Sequence, residues 1–369
     1  MNFAFYMLMP TIPVYLVEEL GIDTSKVGLV LSSYTIGLLC VRPFSGYLVD
    51  CVSRKPLYLF AFTLFAFMFT GYFFAVTVLT IMLVRFLQGG FMGLTSVSGN
   101  TIAIDVIPSK RRGEGMGFYG LTINLAMSLA PLVAVALYAR NGFTSIIWAG
   151  LIIALVGVLS VCLIRYPKRE KLPKPSFSLD RFILIQALPS ALSYMLVAIP
   201  YGMIISFAVL YGKEINVSNP GYFFICMAVG VGTARLISGR LVDHGKIHTV
   251  SVCSLISLTL SFAVFALFRT ESVFFISALA IGIGFGVSVP AFQCLFVNVA
   301  SHSQRGTATS TYLTSFDLGM GAGMLSAGFI ASRFDLATAF LVGAGCCVLS
   351  LCVYLYWVRF SYEKNKKMD

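Results

Sequence analysis

The sequence predicts an all-α polytopic membrane protein: twelve transmembrane helices arranged as two pseudo-symmetric six-helix bundles. Three observations predict it. Hydrophobic residues make up 58 % of the chain and charged residues only 11 %, with a mean hydropathy of +0.89. That is too apolar for a soluble core. Long apolar runs recur along the whole length, separated by short polar breaks. Finally, the chain repeats itself. RPFSGYLVD at Arg42–Asp50 returns as RLISGRLVD at Arg235–Asp243, and RGEGMGFY at Arg112–Tyr119 returns as RGTATSTY at Arg305–Tyr312. Both pairs keep one offset, 235 − 42 = 305 − 112 = 193 residues, about half the chain. Two markers at one spacing indicate a duplication into parallel halves.

The first apolar run, Met1 to Leu16, gives about 16 residues or roughly 24 Å of helix, short of the ~30 Å hydrocarbon core. It holds Pro10 and Pro13, lacks a basic leader and ends at Glu18-Glu19, so it does not read as a signal peptide. The expectation is the outer part of a first helix whose beginning is missing. Further runs follow near 27–49, 56–76, 78–104, 114–138 and 143–165. A polar stretch from Tyr166 to Asp180 carries Pro167, Pro173 and Pro175. Then come runs near 181–211, 220–242, 248–268, 273–299, 306–331 and 336–358. The expected organisation is an N-terminal six-helix bundle over 1–165, a cytoplasmic linker over 166–180, and a C-terminal bundle with a basic tail over 181–369. Short connections force neighbouring spans to run antiparallel.

Charge placement gives orientation. One set of loops, with the central linker and the tail, holds eighteen of the 26 lysines and arginines; the opposite set holds five, at Lys26, Arg140, Lys213, Arg269 and Arg333. The remaining three, Arg42, Arg85 and Arg235, fall inside spans. The excess puts the linker and the C-terminus in the cytoplasm. The net charge of +11 therefore reflects topology in a cell membrane, not a nucleic-acid partner. Most of the nine cysteines lie in apolar runs without zinc-ligand spacing to histidine and read as packing residues. His244, His248 and His302 show no metal-ligand pattern. The absence of a G-x-x-x-x-G-K loop argues against ATP as the energy source.

Specific residues carry a family resemblance. Gly46-Tyr-Leu48-Val-Asp50-Cys-Val-Ser-Arg54-Lys55 matches the G-x-L-x-D-x-x-x-R-K loop between spans 2 and 3 of the major facilitator superfamily. Arg85-Phe-Leu-Gln88-Gly89 in span 4 resembles the R-x-x-Q-G element of proton-coupled members, in the manner of the drug:proton antiporter branch. Asp105 followed by Arg111-Arg112-Gly113 resembles the family's charged junction into span 5. Span 5 departs from that branch: it reads NLAMSLAPLVAVAL, with Ala130 before Pro131, while span 11 carries the glycines in DLGMGAG from Asp317 to Gly323. The resemblance implies alternating access in a proton-coupled secondary transporter, driven by a proton gradient without a cofactor, and not an enzyme. Its partners would be a small-molecule substrate, protons and the bilayer, and the protein would be a monomer. The expected direction is export of small organic compounds. The alternatives are an uptake symporter for a sugar or metabolite, and a non-transporting membrane receptor or scaffold.

The charges suggest roles. Gly46, Asp50, Arg54, Lys55, Asp105 and Arg112, with Gly239 and Asp243 in the second half, read either as a structural clasp or as a latch that holds the cytoplasmic faces together. Arg85 lies well inside span 4, where an unpaired charge costs from ~3 to above 10 kcal/mol by different scales. It must face protein or a water-filled cavity, and Gln88 shares its helix face. Asp317 is the one carboxylate deep in a span, and its repeat mate is Asn124. A carboxyl taken out of water holds a proton more readily, so Asp317 is the candidate proton carrier with Arg85 tuning it. The resemblance implies that spans 1, 4, 7 and 10 line the central pathway. That selects Arg85, Gln88, Asn124, Tyr194, Tyr201, Phe292 and Gln293 as substrate-cavity candidates.

Overall fold

The computed structural model describes residues 1–107, 112–163, 184–243, 247–300 and 305–366. Within them, the side chains at 43, 46, 47, 50, 51, 104, 112–118, 121, 124, 128, 236–243, 305, 306, 365 and 366 lie outside the described set. The chain runs through α1 (Asn2–Val14, continued by a π turn at Tyr15–Glu19), α2 (Thr24–Cys51), α3 (Arg54–Phe74), α4 (Val78–Val106) and α5 (Arg112–Leu163). A 3-10 turn at Ile185–Ala187 leads into α6 (Leu188–Glu214), α7 (Tyr222–Asp243), α8 (Ile247–Leu267), α9 (Glu271–Val299) and α10 (Arg305–Arg333). The last elements are α11 (Leu336–Val353, continued by a π turn at Tyr354–Val358) and α12 (Arg359–Lys366). No strand occurs among the described residues, and eight of their helices are long and apolar enough to cross a membrane.

The helix ends follow local chemistry. Thr77 caps α4 through a reciprocal box with Thr80: the Thr80 amide donates to the Thr77 hydroxyl at 3.3 Å and the Thr77 amide to the Thr80 hydroxyl at 3.1 Å. Asp335 caps α11 by accepting from the Thr338 amide at 2.8 Å. Spans five and six of the sequence reading form one trace, α5, broken at Gly142. There φ is +70° and ψ −176°, a conformation glycine adopts without Cβ strain. The Ser145 hydroxyl donates to the Gly142 carbonyl at 2.7 Å just after the break.

The chain forms two compact units. The first holds Met1–Tyr15 and Leu29–Phe177, the second Leu16–Gly28 and Ser178–Asp369. In the first, α2 and α4 meet backbone to backbone at two glycines. A Cβ on Gly37 would collide with the Phe86 carbonyl, and one on Gly89 with the Tyr34 carbonyl. In the second, α7 and α9 meet the same way: Gly230 faces the Leu279 carbonyl and Gly282 faces the Met227 carbonyl. All four positions obey the 193-residue offset. Close approach through small residues is how helices associate in lipid, where burial of apolar surface gives no net drive.

A third seam joins α6 to α10, where Gly202 faces the Met320 carbonyl and Gly319 and Gly323 face the carbonyls of Met195 and Ile199. The seam holds α6 at the centre of its unit, buried along nearly its whole length. Large apolar side chains instead cover the outside, among them Phe60, Phe67, Phe74, Leu79 and Leu163. Such a surface suits hydrocarbon, not water.

Candidate functional site

The Gly89 contact sets the geometry around Arg85. With no Cβ at Gly89, α4 settles onto α2 at Tyr34, and Arg85, one turn earlier on the same face, comes over the Tyr34 ring. The guanidinium carbon lies 4.8 Å from that ring's centre and 5.9 Å from the centre of Phe5. Phe5 and Tyr34 stack at 4.5 Å. Arg85 is 0 % exposed. One amino group reaches Gln88 Oε1 at 3.5 Å, and the other faces Met9 Sδ at 4.0 Å. The Tyr72 hydroxyl donates to the same Gln88 oxygen at 2.8 Å. Two donors are left without a partner, Arg85 Nε and Gln88 Nε2. Desolvated cation–π contact contributes about 2 kcal/mol or more. That offsets only part of the cost of a buried cation, so the box is under-satisfied as it stands.

At the end of α4, Arg54 forms an ion pair with Asp105. Arg54 Nε also donates to the Val49 carbonyl at 3.4 Å, and Lys55 Nζ donates to the Cys162 carbonyl at 2.9 Å. The pair joins the start of α3 to the end of α4 inside the first unit, and the lysine adds the end of α5. Asp105 is thus brought to Arg54, as the resemblance implies. The side chains of Asp50, Arg112, Asp243 and Asn124 lie outside the described residues, as do Gly46 and Gly239 as contact positions.

The second unit gathers rings around its charges. Tyr194 on α6 stacks on Phe292 at 5.0 Å, on Tyr312 at 4.8 Å and on Phe316 at 5.7 Å. Its hydroxyl donates to the Tyr312 hydroxyl at 2.9 Å. Tyr201, two turns on, packs edge-on against Phe285 at 5.0 Å and lies 5.3 Å from Phe316. The Tyr201 hydroxyl and Arg235 Nε are buried without partners. Asp317 lies near the middle of α10, half-buried, close enough to Tyr194 and Tyr312 to act on both electrostatically. Arg235 acts on the same two tyrosines and on Tyr201. Gln293 is exposed whereas Phe292 is 0 % exposed, since successive residues on a helix point about 100° apart.

Several residues of these clusters were not picked out from sequence: Phe5, Met9, Tyr34 and Tyr72 around Arg85, and Arg235, Tyr312 and Phe316 beside Asp317. A signal existed for part of them. Gly37 with Gly230 and Gly89 with Gly282 fall on the repeat offset, which marks the turns that carry Tyr34 and Arg85 but does not set them opposite each other.

A helical membrane protein of two related units, with its few buried charges held among aromatic rings, is a solute transporter by class. Comparison with known proteins agrees. The family model of the Major Facilitator Superfamily matches residues 1–244 and 190–368; the chain belongs to that superfamily and is a transporter, not an enzyme. The staphylopine export protein of Staphylococcus aureus (strain Mu50 / ATCC 700699) is 24 % identical over 348 residues, covering 88 % of this chain and 85 % of that protein. The quinolone resistance protein NorA of Staphylococcus aureus (strain MRSA252) is 28 % identical over 168 residues, 44 % of this chain and 42 % of its own length. The solved structure of the nucleoside transporter NupG superposes with a TM-score of 0.75 at 18 % identity, over 96 % of this chain and 95 % of that one.

Proposed function

We propose that the protein is a proton-coupled exporter of small organic solutes, working by alternating access as a monomer in the plasma membrane with its C-terminus cytoplasmic. The observation that carries this reading is the placement of Asp317. A coupled transporter needs a group that binds a proton on one side and loses it on the other. Asp317 is a half-buried carboxylate in the middle of α10 beside the Tyr194–Tyr312 pair. Two tyrosine hydroxyls, on which Arg235 also acts, supply the polar surroundings that such a group needs to exchange a proton. The export direction is supported by the name of one relative, the staphylopine export protein, and agrees with the drug resistance named for the other. The basic loops on one face support the orientation. Arg54 and Asp105 serve as the cytoplasmic latch, with Asp50, Gly46, Arg112, Gly239 and Asp243 completing it. Arg85, Gln88, Asn124, Tyr194, Tyr201, Phe292 and Gln293 serve the solute pathway.

The test is flux in proteoliposomes with an imposed pH gradient. Asp317→Asn should abolish gradient-driven accumulation while sparing exchange of solute down its own gradient. Uphill transport by Asp317→Asn with an unchanged pH profile would reduce Asp317 to a packing residue. Accumulation with the proton gradient, instead of against it, would turn the exporter into a symporter.

A further inference from the structure

We infer that Arg85 and Gln88 form a carboxylate-binding site, and hence that the transported solute is an organic anion. The inference rests on the transport reading above and names its substrate class. Arg85 has a fixed positive charge, 0 % exposure, and contacts with two aromatic rings, an amide oxygen, a thioether and the Tyr72 hydroxyl. None of these is an anion. A guanidinium carries five N–H donors in a planar fork that matches a carboxylate. Here Nε has no partner, and the adjacent Gln88 Nε2 has none either.

The groups that could compensate are already committed. Gln88 Oε1 accepts from the Tyr72 hydroxyl at 2.8 Å, so the amide is held with its NH2 directed away from that contact. A buried cation with a surplus of donors binds a carboxylate strongly, because charge-assisted bidentate contacts are about twice as strong as neutral ones.

Met9 stands where that ligand would come. Its sulfur lies 4.0 Å from the second amino group of Arg85, and a thioether is a weak acceptor. It sits on α1 one residue before Pro10, and Pro13 follows one turn on. Each proline removes a backbone N–H from the helix ladder, so the turns of α1 beside Met9 lack the ladder hydrogen bonds that those two amides would make. A carboxylate oxygen displacing the Met9 sulfur would give the guanidinium its counter-charge, and the Phe5 and Tyr34 rings would flank the body of the solute. In the second unit Arg235 Nε and the Tyr201 hydroxyl are also unpartnered. Asp317 shares that cluster, and the assignment is therefore confined to Arg85.

The site can be tested on the purified full-length chain without any transport assay. Met9→Glu places a carboxylate on the proposed spot, and Met9→Gln is its neutral isostere. Met9→Glu should melt above Met9→Gln in detergent. Benzoate should protect the wild type against heat saturably, whereas benzamide and added chloride should not. Met9→Glu, its site filled from within, should need at least tenfold more benzoate for half-maximal protection. Arg85→Lys, which keeps charge and loses the fork, should weaken benzoate binding in the same way. A Met9→Glu variant that melts below Met9→Gln would overturn the inference. So would equal protection by benzamide, or a chloride effect that matches benzoate. Because all of these are equilibrium measurements, they leave the proton-coupled export reading to stand or fall on its own flux assay.

Discussion

The seam between α6 and α10 offers a quantitative test of the packing. Replacing Gly323 with alanine adds one methyl group where the helices touch. That carbon would fall inside the van der Waals sphere of the Ile199 carbonyl oxygen, and would stand 2.9 Å from the carbonyl carbon and 3.1 Å from its Cα. All three are backbone atoms, which cannot swing aside as a side-chain tip would. Unstrained carbon contacts lie at about 3.5–4.0 Å, so α6 and α10 must part by about 1 Å. Gly202 and Gly319 on the same seam would then lose their close contacts as well. Overpacking of this kind costs about 1–3 kcal/mol. Gly345 on α11 is the matched control, since a Cβ there meets nothing within 4 Å. In open helix the same change should stabilise by up to about 1 kcal/mol through propensity. Detergent-solubilised variants compared by thermal unfolding should therefore shift in opposite directions. If Gly323→Ala melts no lower than Gly345→Ala, the helices are not held by glycine contact and the reasoning fails.

Other perturbations test other parts. Asp105→Asn removes the ion pair that Asp105 makes with Arg54, which is only 8 % exposed. With Asp105 itself partly exposed, a loss of about 1–3 kcal/mol is expected by thermal unfolding, and an unchanged melt would make the pair incidental. Asp335 is held below the ordinary carboxylate value by the Thr338 hydroxyl, then by the Thr338 amide and by Arg269. Its contribution is present above the ordinary value of 3.8 and lost as pH falls through its lowered one. The wild type should therefore lose more thermal stability on acidification from about pH 5 to about pH 3 than Asp335→Asn, which keeps the cap but does not titrate; parallel curves would exclude the effect. Asp335→Ala should cost about 1 kcal/mol at neutral pH through loss of the cap, read as a lower melting temperature.

Much of the fold was legible because membrane spans announce themselves by composition and the duplication by two spaced motifs. Even the break between spans five and six was readable, since glycine at 142 separates two apolar runs. Partner choice was less legible. Arg54, Lys55 and Asp105 could be tied together only through the family resemblance, because 51 residues separate Arg54 from Asp105 and no periodicity links them. The demand that Arg85 be satisfied followed from burial cost alone, yet nothing local pointed to Phe5, which is 80 residues away. Arg235 was recognised as lying in a span but given no role, since its neighbours Tyr194, Tyr201 and Tyr312 come from α6 and α10.

The repeated glycine contacts of α2 with α4 and of α7 with α9 carry a consequence for how such a chain can change. The backbone knuckle is common to both halves, but the side chains around it are not. Where the first half has Tyr34, Arg85 and Gln88, the second has Met227, Ala278 and Ile281, all buried. The scaffold therefore does not depend on the charge it carries in one half. Two copies of one mechanical part have been fitted with different chemistry, one with a cation boxed by rings and the other with apolar side chains. Substitution at these few positions can change the side-chain chemistry of either half, while the joints that set the helix geometry stay as they are.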